Sequence, residues 1–327
     1  MRILLSLILV TMMMVGITYA EEPEKKQITV SAQWKIGPST AYWVIAKEKG
    51  FYDNLGFEVN IVGNTSSKVV IAGLESGQLD FGSPAAYFLA GARSQGFKGK
   101  MLLCYVPMPQ LGIIYHTNRN IKSPKDLEGK TLGGVPGTSD IMLFSRFAIT
   151  NGISIEKVKL EKLSYGVLHG MFFEGKLDGM ATFMPYLARY KSEGHQVAGF
   201  PYGDYGIYFN GITASEKFLK ENPITTKRFI QATQKAFAWI YEHPKESIDL
   251  FFEAQPELKS DNPQTDYDQF DLVMSTHYEE IGHKKGLGWM IDSKWRKTLQ
   301  FAAENFGAKI NFSPNEIYTN EFLMQKN

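Results

Sequence analysis

Ser76-Gly77-Gln78-Leu79-Asp80-Phe81-Gly82 and Glu174-Gly175-Lys176-Leu177-Asp178-Gly179-Met180 are two copies of one short phrase in this 327-residue chain. In each copy a stretch of helical character ends at Gly, which tolerates the left-handed φ of a helix C-terminus, and a short apolar strand follows. One helix-to-strand unit is therefore used twice. Asp178 follows Asp80 by 98 positions (178 minus 80). That is about a domain's length and too long for a solenoid repeat, so two α/β lobes are expected. Two lobes imply a cleft.

Working outward from the first copy, Ile28 to Ala32 reads as a strand, Thr40 to Gly50 as a helix, 57–62 as an alternating strand and Val69 to Ser76 as a helix. This alternation predicts a mostly parallel sheet with helices on both faces. Ser83-Pro84 has the form of a helix start, a hydroxyl cap followed by proline at the first helical position, opening Ala85 to Gln95. Around the second copy, Thr131 to Val135, Val158 to Leu163 and Leu177 to Phe183 read as strands, with helices at 140–150, 167–173 and 186–193. Residues 206–213 read as a return crossing, and beyond them helices dominate: 216–221, 223–242, 245–253, 267–281 and 293–306. The expected division is 27–112 plus 213–327 as a first, discontinuous lobe and 113–212 as a second, the layout of a hinged clamshell.

Met1 to Ala20 carries one early cation, Arg2, a continuous apolar run from Ile3 through Gly16, and the small-residue ending Thr18-Tyr19-Ala20. This is the layout of a secretory signal peptide cleaved after Ala20, and the run is shorter than the roughly 20 residues that span a bilayer. A soluble periplasmic protein is expected. With a single cysteine, Cys104 in the apolar run 101–106, no internal disulfide can form, and a remaining chain of about 300 residues can be held by its core alone. Net charge is +1 with both signs interspersed, and no basic stripe with interleaved aromatics occurs, which argues against a nucleic-acid partner.

Ligands of such sheets bind beyond the carboxyl ends of strands, where loops enter helix N-termini. Four loops qualify. The first, 33–40, offers Trp34, Lys35 and Ser39; the alternative there is a core tryptophan and a plain cap. The second carries Thr65, Ser66 and Ser67, the third Ser83, and the fourth, in the other lobe, Gly137, Thr138 and Ser139. Free N–H groups at these caps suit a carboxylate, a sulfonate or a ring carbonyl. Trp34 with Tyr186 or Tyr205 would sandwich a flat ring, and Asp204 would accept hydrogen bonds from a ring amine. No phosphate-binding Gly-Lys loop, Gly-x-Ser-x-Gly elbow or His-Glu-x-x-His is found, so no catalytic residue is assigned. His277 and His283 fall on different faces of a helix, and Asp266 and Asp268 sit in a polar stretch, so no metal site and no cofactor is expected.

The chain resembles the periplasmic solute-binding proteins of ABC importers, in the family that groups aliphatic-sulfonate, taurine and nitrate binders with thiamine-pyrimidine-precursor (NMT1/THI5-like) binders. The resemblance rests on Ala46-Lys47-Glu48-Lys49-Gly50-Phe51-Tyr52, on both copies of the repeated phrase and on Ser123-Pro124-Lys125-Asp126-Leu127-Glu128-Gly129-Lys130. The stretches 236–246 and 288–323 are similar to those of the pyrimidine-precursor members. The resemblance implies a two-lobed periplasmic-binding-protein fold of type II with helical C-terminal bracing. It further implies ligand contacts at Trp34, Thr65 to Ser67, Ser83, Gly137 to Ser139 and around Tyr186, and partnership with a permease and its ATPase, the binding protein itself being a monomer. The cysteine cluster of the yeast pyrimidine synthase is absent. A heterocycle such as a pyrimidine precursor is the expected ligand; a sulfonate, taurine or nitrate is the alternative, and an enzyme using a cleft acid such as Asp204 is the alternative of another class.

Overall fold

The computed structural model describes residues 21–32, 34–64, 66–275 and 284–325. The expected signal segment 1–20, the candidate contact Thr65, and His277 and His283 lie outside the described residues.

Among the described residues ten strands form two five-stranded sheets. The first contains β1 (Gln27–Ala32), β2 (Glu58–Val62), β3 (Phe81–Ser83), β4 (Gly99–Val106) and β10 (Asn210–Ser215), in the order β2-β1-β3-β10-β4. The second contains β5 (Leu111–His116), β6 (Thr131–Gly134), β7 (Lys159–Lys162), β8 (Gly179–Phe183) and β9 (Val197–Pro201), in the order β7-β6-β8-β5-β9. The two orders correspond strand for strand. In each sheet three strands pair in parallel, and the fourth, β10 or β5, runs antiparallel to both of its neighbours. These antiparallel members flank the two chain crossings, so the sheets are mixed where alternation alone predicted mostly parallel ones.

The repeated phrase performs the same task in both sheets. Gly77 and Gly175 adopt φ of +77° and +71°, ending the helices α2 (Ser67–Ser76) and α5 (Tyr165–Phe173) in the left-handed region that favours glycine. Asp80 Oδ2 accepts from the Thr29 N–H at 2.9 Å while the Asp80 N–H donates to the Thr29 carbonyl at 3.0 Å. Asp178 Oδ2 likewise accepts from the Thr131 N–H and its own N–H donates to the Thr131 carbonyl, both at 2.8 Å. Each aspartate also meets a cation, Lys25 at 2.7 Å or Arg119 at 3.4 Å. The carboxylate thus clamps the middle strand of each parallel trio, β1 at Thr29 or β6 at Thr131, just before the ligand-facing loops depart.

The first sheet is covered by α1 (Ala41–Glu48), α3 (Ala86–Ser94), α8 (Pro223–Glu242), α9 (Pro244–Ala254) and the helix Asp292–Phe306. Phe81, Phe229 and Tyr52 stack in series, with centroids 4.3 and 5.1 Å apart, and the buried Tyr52 hydroxyl meets Thr233 Oγ1 at 2.7 Å. Around the second sheet lie α4 (Ser139–Thr150), α5 and α6 (Tyr186–Ser192). Helix α10 (Pro263–Ser275) packs on α6, on α9 and on the turn 38–40 that precedes α1, so it touches both halves.

Ser83-Pro84 is not a helix start. Ser83 completes β3, and Ala85, not Ser83, holds the N-cap position of α3 with its N–H satisfied by Ser67 Oγ at 3.0 Å. Tertiary pairing of Ser83 with the β1 strand outweighs its local capping preference.

Candidate functional site

A cavity of about 190 Å³ lies between the two sheets. At roughly 30 Å³ per water it has room for about six waters, or one small ring compound. Its walls come from the β1–α1 loop, the N-termini of α2 and α4, the ends of β4 and β8, the starts of β5 and β10, helices α3, α5 and α6, and Gln269 of α10. Most of these are carboxyl ends of strands leading into helices.

Trp34, Ser39, Ser66, Ser67, Gly137, Thr138, Ser139 and Tyr186, all sequence-predicted, line this cavity. Several of their hydroxyls are already engaged. Ser66 caps α2 through the Val69 N–H, Ser67 Oγ accepts from Ala85, and Thr138 Oγ1 donates to the Val135 carbonyl at 2.6 Å. Gly137 takes φ of +77°, which turns the chain out of β6 and into α4. Gly63 lets two loops close on each other: a Cβ there would stand 3.1 Å from Lys35 Cα and 3.2 Å from the Trp34 carbonyl oxygen.

Three predicted residues stand elsewhere. Ser83 is fully buried behind the cavity wall, bonded through Oγ to the Tyr105 hydroxyl, and Tyr105 takes its place on the lining. Asp204 is exposed and its carboxylate accepts from the Gly206 N–H at 2.7 Å, closing an Asx turn in the β9–β10 connection. Tyr205 stacks on Phe301 of the C-terminal helix at 6.1 Å. Of the two expected ring partners of Trp34, Tyr186 shares its cavity and Tyr205 does not. Trp34 meets Tyr165, at the start of α5, edge-on at 5.4 Å, and the Tyr165 hydroxyl donates to Tyr186 at 3.1 Å. Lys35 Nζ stands 5.2 Å above the same Tyr165 ring.

Tyr165, Asp140, Tyr105, Gln110 and Gln269 are lining residues that sequence reasoning did not single out. The first two sit at helix starts after β7 and β6, so the strand-end rule that selected Thr138 and Ser139 extends to them. Gln269 belongs to a distant helix and carries no sequence signal. Gln110 Nε2 donates to the Val273 carbonyl at 3.0 Å, tying α10 to the segment between β4 and β5.

The electrostatics of the cavity centre on Asp140. Its carboxyl is contacted by Thr138 and by the main-chain N–H groups of Asp140 and Ile141, yet burial outweighs these bonds and pushes its pKa up to about 6. Among the described residues no Lys, Arg or His forms an ion pair with it. Behind the aromatic wall, burial and the nearby cations Arg189 and Lys35 hold His169 down at about 4, so its ring is neutral at physiological pH. Its Nδ1 meets the Tyr190 hydroxyl at 2.9 Å. Burial also raises Tyr105 to about 12.

Two α/β sheets of matching strand order, joined by two crossings and enclosing a cavity built from strand ends, define a protein of the periplasmic-binding-protein fold. The chain belongs to the NMT1/THI5 like family, whose model matches residues 38–247. It is similar to the riboflavin-binding protein RibY of Chloroflexus aurantiacus, 22% identical over 309 residues, which covers 92% of this chain and 87% of RibY. It is also similar to the 4-amino-5-hydroxymethyl-2-methylpyrimidine phosphate synthase of Legionella pneumophila, 22% identical over 310 residues with 91% and 93% covered. Among solved structures, the periplasmic aliphatic sulphonate binding protein SsuA of Escherichia coli superposes with a TM-score of 0.68 at 16% identity, covering 91% of this chain and 99% of that one. Among the described residues no helix is long and apolar enough to cross a membrane.

Proposed function

We propose that this protein is the solute-capturing subunit of an ABC importer, and that its cleft takes a small flat nitrogen heterocycle, a pyrimidine precursor of thiamine or a compound like it. The observation that carries this reading is the meeting of Trp34, from the β1–α1 loop, and Tyr165, from α5, on the lining of a cavity that also holds Asp140. Aromatic walls bind a flat ring by stacking, and a few polar groups fix its orientation. The names of the riboflavin-binding and pyrimidine-phosphate relatives support a heterocycle over a compact anion.

In this reading the first lobe is 27–112 plus 213–327 and the second 113–212. Contacts from both lobes exist only when the cleft is shut, so the ligand shifts a hinge equilibrium, and the shut form docks on the permease and its ATPase. The protein acts as a monomer outside the inner membrane after loss of 1–20, and returns its ligand unchanged. The synthase relative makes turnover the reading to exclude.

The test is thermal unfolding of residues 21–327 with aminopyrimidines, riboflavin, taurine, alkanesulfonates and nitrate, followed by mass spectrometry of the recovered ligand. Ligand at 100 times its Kd stabilises by about 2.7 kcal/mol. A shift with heterocycles, the ligand recovered intact, is expected. A shift with sulfonates or nitrate alone refutes the heterocycle, and a chemically altered ligand refutes the carrier role.

A further inference from the structure

We propose that the Asp140 carboxylate determines specificity in this cleft: it accepts an N–H of the ligand, from an exocyclic amine or a protonated ring nitrogen, and it turns anions away. The inference rests on the heterocycle reading and adds the functional group that the heterocycle must carry.

Three observations converge on it. Asp140 lines the cavity, partly buried, and among the described residues no cationic side chain pairs with it, so its charge lacks a compensating partner. Its surroundings are phenolic and aliphatic. Tyr87 of α3, Tyr165 of α5 and Tyr202 of the β9–β10 connection all lie close enough to feel its charge, and Thr138 is its polar neighbour on its own loop. Among the described lining residues Lys35 is the one cation, and its Nζ stands 5.2 Å over the Tyr165 ring rather than in an ion pair with Asp140.

The second observation concerns the α4 N-terminus. Main-chain N–H groups at a helix start are ready anion donors. Here those of Asp140 and Ile141 lie close enough to the Asp140 carboxyl to favour its charged form. A sulfonate or phosphate arriving from the cavity finds a like charge beside these donors, whereas a ligand amine finds an acceptor.

Third, the Thr138 hydroxyl has a single proton, and it is given to the Val135 carbonyl at 2.6 Å. That one proton cannot satisfy both the Val135 carbonyl and the Asp140 carboxyl that Thr138 also contacts. Acceptor capacity at this corner exceeds the donors the protein provides, and a ligand N–H fills the deficit.

The experiment is isothermal titration of wild type, Asp140→Asn and Asp140→Ala with 4-amino-5-hydroxymethyl-2-methylpyrimidine, its analogue lacking the amine, its phosphate ester, and ethanesulfonate. Wild type should bind the amine at least about tenfold more tightly than the deamino compound, the effect of one hydrogen bond to a charged group, and should bind the two anions more weakly still. Asp140→Asn should lose about tenfold towards the amine and gain towards the anions, with Asp140→Ala losing more. The analogue comparison needs only wild-type protein, so misfolding of a variant leaves the proposal testable. Equal affinity for the amino and deamino compounds, unchanged affinity in both variants, or tight wild-type binding of ethanesulfonate would overturn the role of Asp140. A wild type that bound none of the heterocycles would overturn the heterocycle reading as well.

Discussion

Replacing Asp140 by Asn should make the ligand-free protein more stable at neutral pH and slightly less stable in acid. The carboxyl moves from an ordinary 3.8 to about 6 in the folded state, a rise of about two units, and each unit corresponds to about 1.4 kcal/mol, so ionisation costs the fold up to about 3 kcal/mol. The sign follows from proton linkage. Between pH about 4 and about 6 the folded state holds more proton than the unfolded one, so the Asp140 contribution to stability falls as pH rises through that window and stays low above it. Asn keeps an oxygen that can accept the N–H groups of the α4 start, and its amide can donate to Thr138, whose own proton goes to Val135. After about 1 kcal/mol for burying the amide, a net gain of about 2 kcal/mol is expected at pH about 7 to 8. His169 works in the opposite sense, since a histidine held at about 4 weakens the fold as pH falls below about 6.5. It is present in both proteins and cancels in their difference. Urea unfolding followed by tryptophan fluorescence, wild type against Asn variant at a series of pH values from about 4 to about 8, measures that difference directly. A variant no more stable than wild type at neutral pH, or equally stabilised at pH about 4, would refute burial as the cause.

Asp80→Ala should cost about 1–3 kcal/mol in urea unfolding, because it strands the Thr29 N–H and breaks the ion pair with the half-exposed Lys25. Asp178→Ala should cost less, since its side chain is 21% exposed against 4% for Asp80. Gly112→Ala should lower stability by about 1–3 kcal/mol in the same assay, since a Cβ there would run into the Phe200 carbonyl oxygen and Met184 at the strand that borders the cleft. Trp34→Ala should weaken heterocycle binding about tenfold by calorimetry while leaving the melting temperature within a few degrees, because Trp34 is a half-buried loop residue and stacking contributes about 0.5–1.5 kcal/mol beyond area burial. Unchanged affinity would remove Trp34 from the site.

Much of the architecture is legible along the chain because its causes are local. Glycines at 77 and 175 end helices wherever they lie, and an aspartate three positions later can reach back to the strand that pairs in parallel beside it. Helix starts such as Ser66 and Thr138 are written in a few consecutive residues, which is why eight of the predicted contacts line the cavity. Ser83 was misread for the same local reason: Ser-Pro is a helix-start signature, but strand pairing with β1 and the Tyr105 hydroxyl claim this serine instead.

By itself, then, the sequence determined a twice-used helix-to-strand unit, an α/β alternation and a set of polar loops at strand ends, all of them consequences of backbone sterics and hydrophobic period acting over a few residues. Only the tertiary structure decided which loops face one another. It set Tyr165 rather than Tyr205 against Trp34, turned Asp204 out to solvent and Asp140 into the cavity, and brought Gln269 across from a helix far along the chain. The physical reason is that these meetings depend on how two sheets and the crossings between them pack, and packing is settled by contacts between residues remote in sequence, which no local pattern encodes.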